Sequence, residues 1–350
     1  MKGDKIKLCL FVTMVFLAVA MLPALADTAK VEVVVLDDAA GLPIEGVRVT
    51  GYFTVDIGWR AWTESSVPNK AEALTDKRGL CSVSGKTNCG KVGCWVENPP
   101  NGYYCPPRGW CHTYTNKNLF GVWQPDNLVA TIRLQRVEHP IPLFVKKISD
   151  RNYPYGGRVF DKGNGVLEFD FLVGDWLPPA GRGKVADVRF ERLPQKDLGT
   201  GMNASGMTGR VYRDSMSVRF LGADNGLVEI PHSLSAGLRI RMAPESGYLP
   251  TYSCWRGVGT DLQLASSYKE DRDFCFRIRT RRNEKGEIVA AHYGKIYGDI
   301  SFAPEMDPFQ AVASVCMVYY LNPKSLDRNL EWDMKTNLCP TAGKHESLQP

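Results

Sequence analysis

The sequence predicts an all-β protein of two sandwich-like domains, built mainly from antiparallel strands. Three observations carry this. Runs rich in β-branched and aromatic residues, such as Lys30 to Leu36 (KVEVVVL), recur along the whole chain. Glycine (33) and proline (22) separate these runs at short intervals. Long stretches of helical periodicity are few.

The N-terminus comes first in chain order and sets the compartment. Lys2, Lys5 and Lys7 form a basic start, and Leu8 to Leu22 is apolar except for Thr13. Pro23-Ala24-Leu25-Ala26 supplies the small-x-small pattern of a signal-peptidase site, so residues 1–26 are expected to leave before Asp27. The apolar stretch holds 15 residues, against the roughly 20 that a spanning helix needs. No later window is apolar enough to span, so no transmembrane segment is expected in the mature chain. The expected location is secreted or extracytoplasmic. Removing three lysines and one aspartate with the leader lowers the formal charge from +5 to +3, too mild for a nucleic-acid footprint.

Cysteine use agrees with export. Of the ten, Cys9 leaves with the leader and nine remain. The disulfide candidates are Cys89, Cys94, Cys105 and Cys111, spaced locally as Cys89/Cys94 and Cys105/Cys111, and Cys254, Cys275, Cys316 and Cys339, which could pair as Cys254/Cys275 and Cys316/Cys339; the odd count leaves one thiol over. Spacing does not fix connectivity. Zinc is the competing reading for Cys89 to Cys111, but the C-x-x-C spacing is missing and an oxidising compartment favours disulfides. No metal site and no cofactor are expected.

The first domain is expected over residues 28–137. Lys30 to Leu36 and Ile44 to Phe53 are strands separated by a turn at Asp37 to Pro43, and Thr75 to Gly79 is a hairpin turn. Leu80 to Ser84, Lys91 to Glu97 and Leu128 to Val137 complete the strands, with a turn at Pro99 to Tyr104. The segments from Trp59 to Pro68 and from Cys105 to Trp123 look like a long insertion whose tryptophans lie on loops.

The residues Val33-Val34-Val35-Leu36-Asp37, Gly41 to Val49, Thr75-Asp76-Lys77-Arg78-Gly79 and Pro100-Asn101-Gly102-Tyr103-Tyr104 resemble the carboxypeptidase regulatory-like (transthyretin-like) sandwich. The resemblance covers about a third of the chain. It implies a non-catalytic appendage and brings no active-site residues across.

The second domain is expected over residues 140–340, followed by a disordered tail at 341–350. Its strands are Val166 to Val173, Ala186 to Arg192, Ser217 to Leu221, Gly226 to Ile230, Leu238 to Met242, Phe274 to Thr280, Ile288 to Ile300 and Val312 to Leu321. Asp224-Asn225-Gly226 and Asn283 to Gly286 are hairpin turns. The segments Phe169-Asp170-Phe171, Gly174 to Pro179, Tyr293 to Ile300, Tyr319 to Pro323 and Asp327 to Glu331 resemble a family of bacterial secreted proteins, and this resemblance implies no activity.

Catalytic patterns fail on inspection. In Gly79 to Thr87 (GLCSVSGKT) five residues separate Gly79 from Gly85-Lys86-Thr87, where a phosphate loop takes four. No Gly-x-Ser-x-Gly or His-Glu-x-x-His occurs, and His112, His139, His232, His292 and His345 stand singly. Asp170, Asp175, Asp299, Glu331 and Asp333 offer the only route to a glycosidase, through two facing carboxyls, but turn and ion-pair duties explain each equally well. No catalytic residue is assigned and the chain is not expected to be an enzyme.

Two features suit binding instead. Trp59, Trp62 and Trp110 sit in the insertion, where flat aromatics can stack on sugar rings, although burial is the ordinary fate of so large an apolar ring. In a strand, Arg277, Arg279 and Arg281 share one face with Phe276, Ile278 and Thr280 opposite, and Arg239 and Arg241 repeat the spacing. Such a strip suits the oxyanions of sulfated or uronic polysaccharide; a solvated outer face is the plainer reading. The sequence therefore points to a secreted, non-catalytic surface, adhesion or ligand-binding protein, with polysaccharide or another cell-surface component as partner and no nucleic acid. The alternative is a polysaccharide-active enzyme with its site in the second domain.

Overall fold

The computed structural model describes residues 28–60, 63–104, 109–119, 121–148, 159–160, 165–231, 240–269, 272–304 and 313–341. The side chains of 56–60, 63–68, 159–160, 231, 302–304 and 313–314 lie outside that description. So do the expected leader, Trp62, Cys105, Arg239 and nearly all of the expected tail. Every regular element among the described residues is a strand, and the protein is all-β. No helix among them is long and apolar enough to cross a membrane. The described residues divide into two compact units, one over 28–137 and the other over 138–341.

The first unit has nine strands among the described residues: β1 (Thr28–Asp37), β2 (Arg48–Arg60), β3 (Thr63–Leu74), β4 (Leu80–Lys86), β5 (Lys91–Trp95), β6 (Trp110–Thr113), β7 (Asn116–Lys117), β8 (Trp123–Gln124) and β9 (Leu128–Leu134). One sheet runs β4-β1-β9, the other β3-β2-β5-β6, and β7 pairs with β8. In β1 every second residue, Ala29, Val31, Val33 and Val35, enters the core, as the strand period of two requires. Val49, Phe53, Val92 and Cys94 come in from the second sheet to form one cluster with them.

Two expectations are corrected here. Thr75 to Gly79 is not a hairpin turn, because β3 pairs with β2 while β4 pairs with β1, so the turn carries the chain from one sheet to the other. Trp59 lies on β2 and Trp110 on β6, both strands rather than loops.

The motif residues of this unit meet at the end of β1. Asp37 is buried and accepts hydrogen bonds from Ala40 N (2.8 Å), Tyr103 Oη (2.9 Å) and Arg136 Nε (2.5 Å). Burial pushes its carboxyl up, but Arg136, the Ala40 amide and the Tyr103 hydroxyl outweigh this and lower the pKa from 3.8 to about 2. A depressed carboxylate stabilises the fold above its unfolded pKa, and that contribution is lost as pH falls from 3.8 through about 2. At neutral pH it is on the order of 2 kcal/mol. Asp37→Asn should lose this increment and flatten the acid limb of stability, as measured by urea unfolding over that pH range.

The second unit holds thirteen strands among the described residues. They are β10 (Ile141–Ile148), β11 (Val159–Phe160), β12 (Val166–Asp170), β13 (Asp175–Trp176), β14 (Val188–Met202), β15 (Thr208–Phe220), β16 (Gly226–Pro231), β17 (Thr251–Val258), β18 (Leu264–Ser266), β19 (Arg272–Arg282), β20 (Ile288–Pro304), β21 (Ala313–Leu321) and β22 (Trp332–Asn337). A seven-stranded sheet runs β16-β19-β20-β21-β10-β22, with β11 also on β21; a six-stranded sheet runs β13-β12-β14-β15-β17-β18. Phe169, Phe190, Met216 and Val218 from one sheet and Phe274, Phe276, Ile296 and Tyr319 from the other form the main core. The far face of β19 and β20 is also covered, with Cys275 and Tyr293 packed against Ala243 and Leu330.

Asn283 to Gly286 does join a paired hairpin, β19 to β20. Asp224-Asn225-Gly226 does not, since β15 and β16 belong to different sheets. Residues 240–242 are not a strand: Met242 makes a single bridge to Asn329, and Arg241 O accepts from Leu330 N.

The expected disulfides are corrected by the faces on which their thiols lie. Cys254 points into the main core while Cys275 points to the opposite side of its own sheet. On β21, Val315 and Met317 face the main core, so Cys316 between them faces away, whereas Cys339 sits beside Tyr319 within the core. Cys94 is enclosed in the first core, while the Cys89 thiol reaches Thr54 O at 3.3 Å. Cys89, Cys94, Cys254, Cys275 and Cys339 are free thiols, as is Cys111, whose expected partner Cys105 is not described.

Candidate functional site

The arginine strip does not form as a strip. β19 carries a bulge: its register with β20 shifts between Ile278 and Arg281, and Arg279 adopts a left-handed backbone with φ 53°. Arg277 is buried, donating to Asp224 O (2.9 Å) and Glu245 O (3.2 Å), with its guanidinium 4.6 Å from the centre of the Tyr248 ring. Arg279 turns instead toward β12 and β14. Its Nη2 donates to Asp170 Oδ1 (2.6 Å) and Asp187 Oδ2 (3.0 Å), and its Nε to Asp187 Oδ1 (2.9 Å). Only Arg281 of the three is exposed. Arg241 pairs with Glu138 at 2.9 Å, away from any such row.

The carboxylates of the second unit hold backbone in place. Asp170 accepts from the amides of Leu172, Val173, Lys184 and Val185 as well as from Arg279. Burial pushes its carboxyl up, yet these donors bring the pKa below the ordinary value. Asp187 goes the other way, because its burial outweighs Arg279 and the Phe171 amide. Asp175 caps the amides of Trp176 and Arg182, and Asp333 those of Lys335 and Thr336. Glu331 binds the amides of Glu138 and His139; Asp299 binds Tyr252 Oη, Lys269 N and Arg272 Nη1.

Of the expected tryptophans, the side chains of Trp59 and Trp62 are outside the described residues, and Trp110 packs against the first core. The aromatic surface lies elsewhere, on the outer face of β3-β2-β5-β6. Tyr52 on β2 lies opposite Gly93 on β5, and Trp95 follows Gly93 by two residues, so all three point the same way. Gly93 and Gly109 form a floor for the indole: a Cβ at Gly93 would come within 2.1 Å of Trp95 and one at Gly109 within 2.3 Å. Tyr52 stands edge-on to the indole, with centroids 5.0 Å apart and planes at 88°.

Polar groups frame this pair. Tyr52 Oη donates to Glu97, the ammonium of Lys70 lies 4.6 Å from the Tyr52 ring centre, and Arg48 pairs with Glu72 at 3.4 Å. Trp95 and Tyr52 remain partly exposed, outside the hydrophobic core beneath them. Only the strand register reveals this face, since Gly93 and Gly109 are far apart in sequence.

No family model matches the chain, and no curated protein matches it. Among solved structures, it is similar to the C-terminal domain of shaft pilin SpaA from Lactobacillus rhamnosus GG at 13% identity, over 31% of this chain and 98% of that one, with a TM-score of 0.21. It is also similar to GBS52, the minor pilin of Streptococcus agalactiae, at 17% identity over 33% of this chain and 48% of that one, TM-score 0.23. A streptococcal ancillary pilin follows at 15% identity, over 53% of this chain and 59% of that one, TM-score 0.22. The chain thus spans about half the length of the minor pilin and about three fifths of the ancillary pilin. Superpositions this loose carry no inference about activity or partners.

Proposed function

We propose that this chain is an exported, non-catalytic binding protein whose first unit engages carbohydrate through Trp95 and Tyr52. The observation that carries the reading is the indole laid over Gly93 and Gly109, edge-on to Tyr52 and framed by Glu97 and Lys70. An aromatic held at a fixed tilt offers an apolar face to a sugar ring, and neighbouring charged groups can take its hydroxyls. The leader at residues 1–26 supports export. The backbone-holding duties of Asp170, Asp175, Asp299, Glu331 and Asp333 support a non-catalytic role.

The test is affinity electrophoresis through gels cast with a panel of soluble polysaccharides. At least one should retard the protein, and Trp95→Ala should weaken that retardation about tenfold, equivalent to about 1.4 kcal/mol. Gly93→Val, which would force the indole off its floor, should act in the same direction. Equal retardation of wild type and Trp95→Ala would overturn the reading.

A further inference from the structure

At one end of the second unit, a cleft of about 270 Å³ opens between β17–β18 and β20. Its floor is Cys254 and Ile300, and Arg256, Ser266, Ser301 and Tyr268 line it. Strand alternation explains why an arginine points inward here. Tyr252 and Cys254 face the main core, so Arg256, two residues further on, faces the same way where that core ends. Ser266 lies directly opposite it on β18 and Asp214 directly opposite on β15.

Asp214 is the natural counter-ion for Arg256, but both its oxygens are taken by Arg192, at 3.2 Å from Nε and 2.7 Å from Nη2. Asp299, the carboxylate next to Ile300, is held by Tyr252, Lys269 N and Arg272. The Arg256 side chain has neither an ion pair nor a hydrogen bond among the described residues. Asp214 is thus engaged by Arg192, and the Arg256 guanidinium lines the cleft without a counter-ion among the described residues.

We propose that this cleft binds a single carboxylate-bearing sugar unit. A guanidinium fork takes a carboxylate through two parallel hydrogen bonds, which supplies the missing anion. The hydroxyls of Ser266 and Ser301 suit a polyhydroxylated ring, and Tyr268, 46% exposed at the rim, offers it an aromatic edge. The volume lies just under the roughly 300 Å³ at which ordinary small-molecule pockets begin, which fits one ring rather than a folded partner. This site stands independently of the Trp95 face.

Calorimetric or ligand-observed NMR titration with D-glucuronate, D-glucose and acetate tests it. Glucuronate should bind at least tenfold more tightly than either glucose, which lacks the carboxylate, or acetate, which lacks the ring. Arg256→Gln should lower glucuronate affinity at least tenfold, and Ser301→Trp should abolish binding by filling the cleft. Equal binding of glucuronate and glucose, equal binding of glucuronate and acetate, or full affinity in Arg256→Gln would each overturn the proposal. Should Arg256→Gln fail to fold, the three-ligand comparison on wild type and the Ser301→Trp variant decide.

Discussion

Replacing Arg279 with methionine should destabilise the second unit by about 3–5 kcal/mol, the cost of leaving buried charges without their partner. The side chains of Asp170 and Asp187 are each 1% exposed and both rest on this one guanidinium. The amides around Asp170 would still hold it ionised, but Asp187, already pushed up by burial, would be left facing a second negative charge. In the variant the folded pKa of Asp187 therefore rises further above its unfolded value. A raised carboxyl stabilises the fold below the unfolded pKa and loses that advantage as pH rises. The deficit against wild type should accordingly be larger at neutral pH than near pH ~4, the ordinary aspartate value. Adding Asp187→Asn to the variant should recover part of the loss. Urea unfolding at both pH values checks this, and a deficit below ~1 kcal/mol would mean that the triad behaves like a surface ion pair.

Phe171→Ala should cost a similar ~3–5 kcal/mol, but by opening a cavity and with no such pH dependence. Phe171 is fully enclosed, stacked 4.5 Å from Phe276 and edge-to-face with Tyr319 at 4.9 Å. Removing the ring takes the central member from a cluster that also includes Phe169 and Phe220. For a domain of 150–250 residues each kcal/mol moves Tm by roughly 2–4 °C, so a fall of roughly 6–20 °C is expected by calorimetry. Tyr319→Phe, which keeps the ring but loses its hydrogen bond to Phe171 O, should cost only about 1 kcal/mol. A comparable loss in both variants would show that the hydrogen bond, rather than the packing, dominates.

Strand content was legible where one face of a strand is buried, as in β1, where alternate valines enter the core. Pairing was not. Thr75 to Gly79, Asp224 to Gly226 and Asn283 to Gly286 carry similar turn chemistry, yet only the last closes a hairpin. A turn fixes the local reversal of the chain; which sheet the next strand joins depends on the core beyond it. The arginine strip failed for a related reason. Phe276 to Arg281 alternates without fault, and no glycine marks the bulge at Arg279, because the bulge is held by Asp170 and Asp187, 109 and 92 residues away. Trp95 was visible as a residue but not as a surface, since Gly93 and Gly109 become its floor only once β5 and β6 are paired.

The parallel pairing of β1 with β9 has a mechanical consequence. Seven residue pairs join them, from Val31 with Leu128 to Asp37 with Leu134. The chain enters this pair at the start of β1 and leaves it at the end of β9, so entry and exit lie at opposite ends of one ladder. A pull applied between residue 28 and residue 137 slides the strands past each other and loads all the rungs together, where an antiparallel hairpin would open them one at a time. The contact of Asp37 with Tyr103 and Arg136 sits at the exit end and resists the same displacement. Along that axis the first unit is braced against tension in proportion to the length of the ladder, independently of its thermodynamic stability.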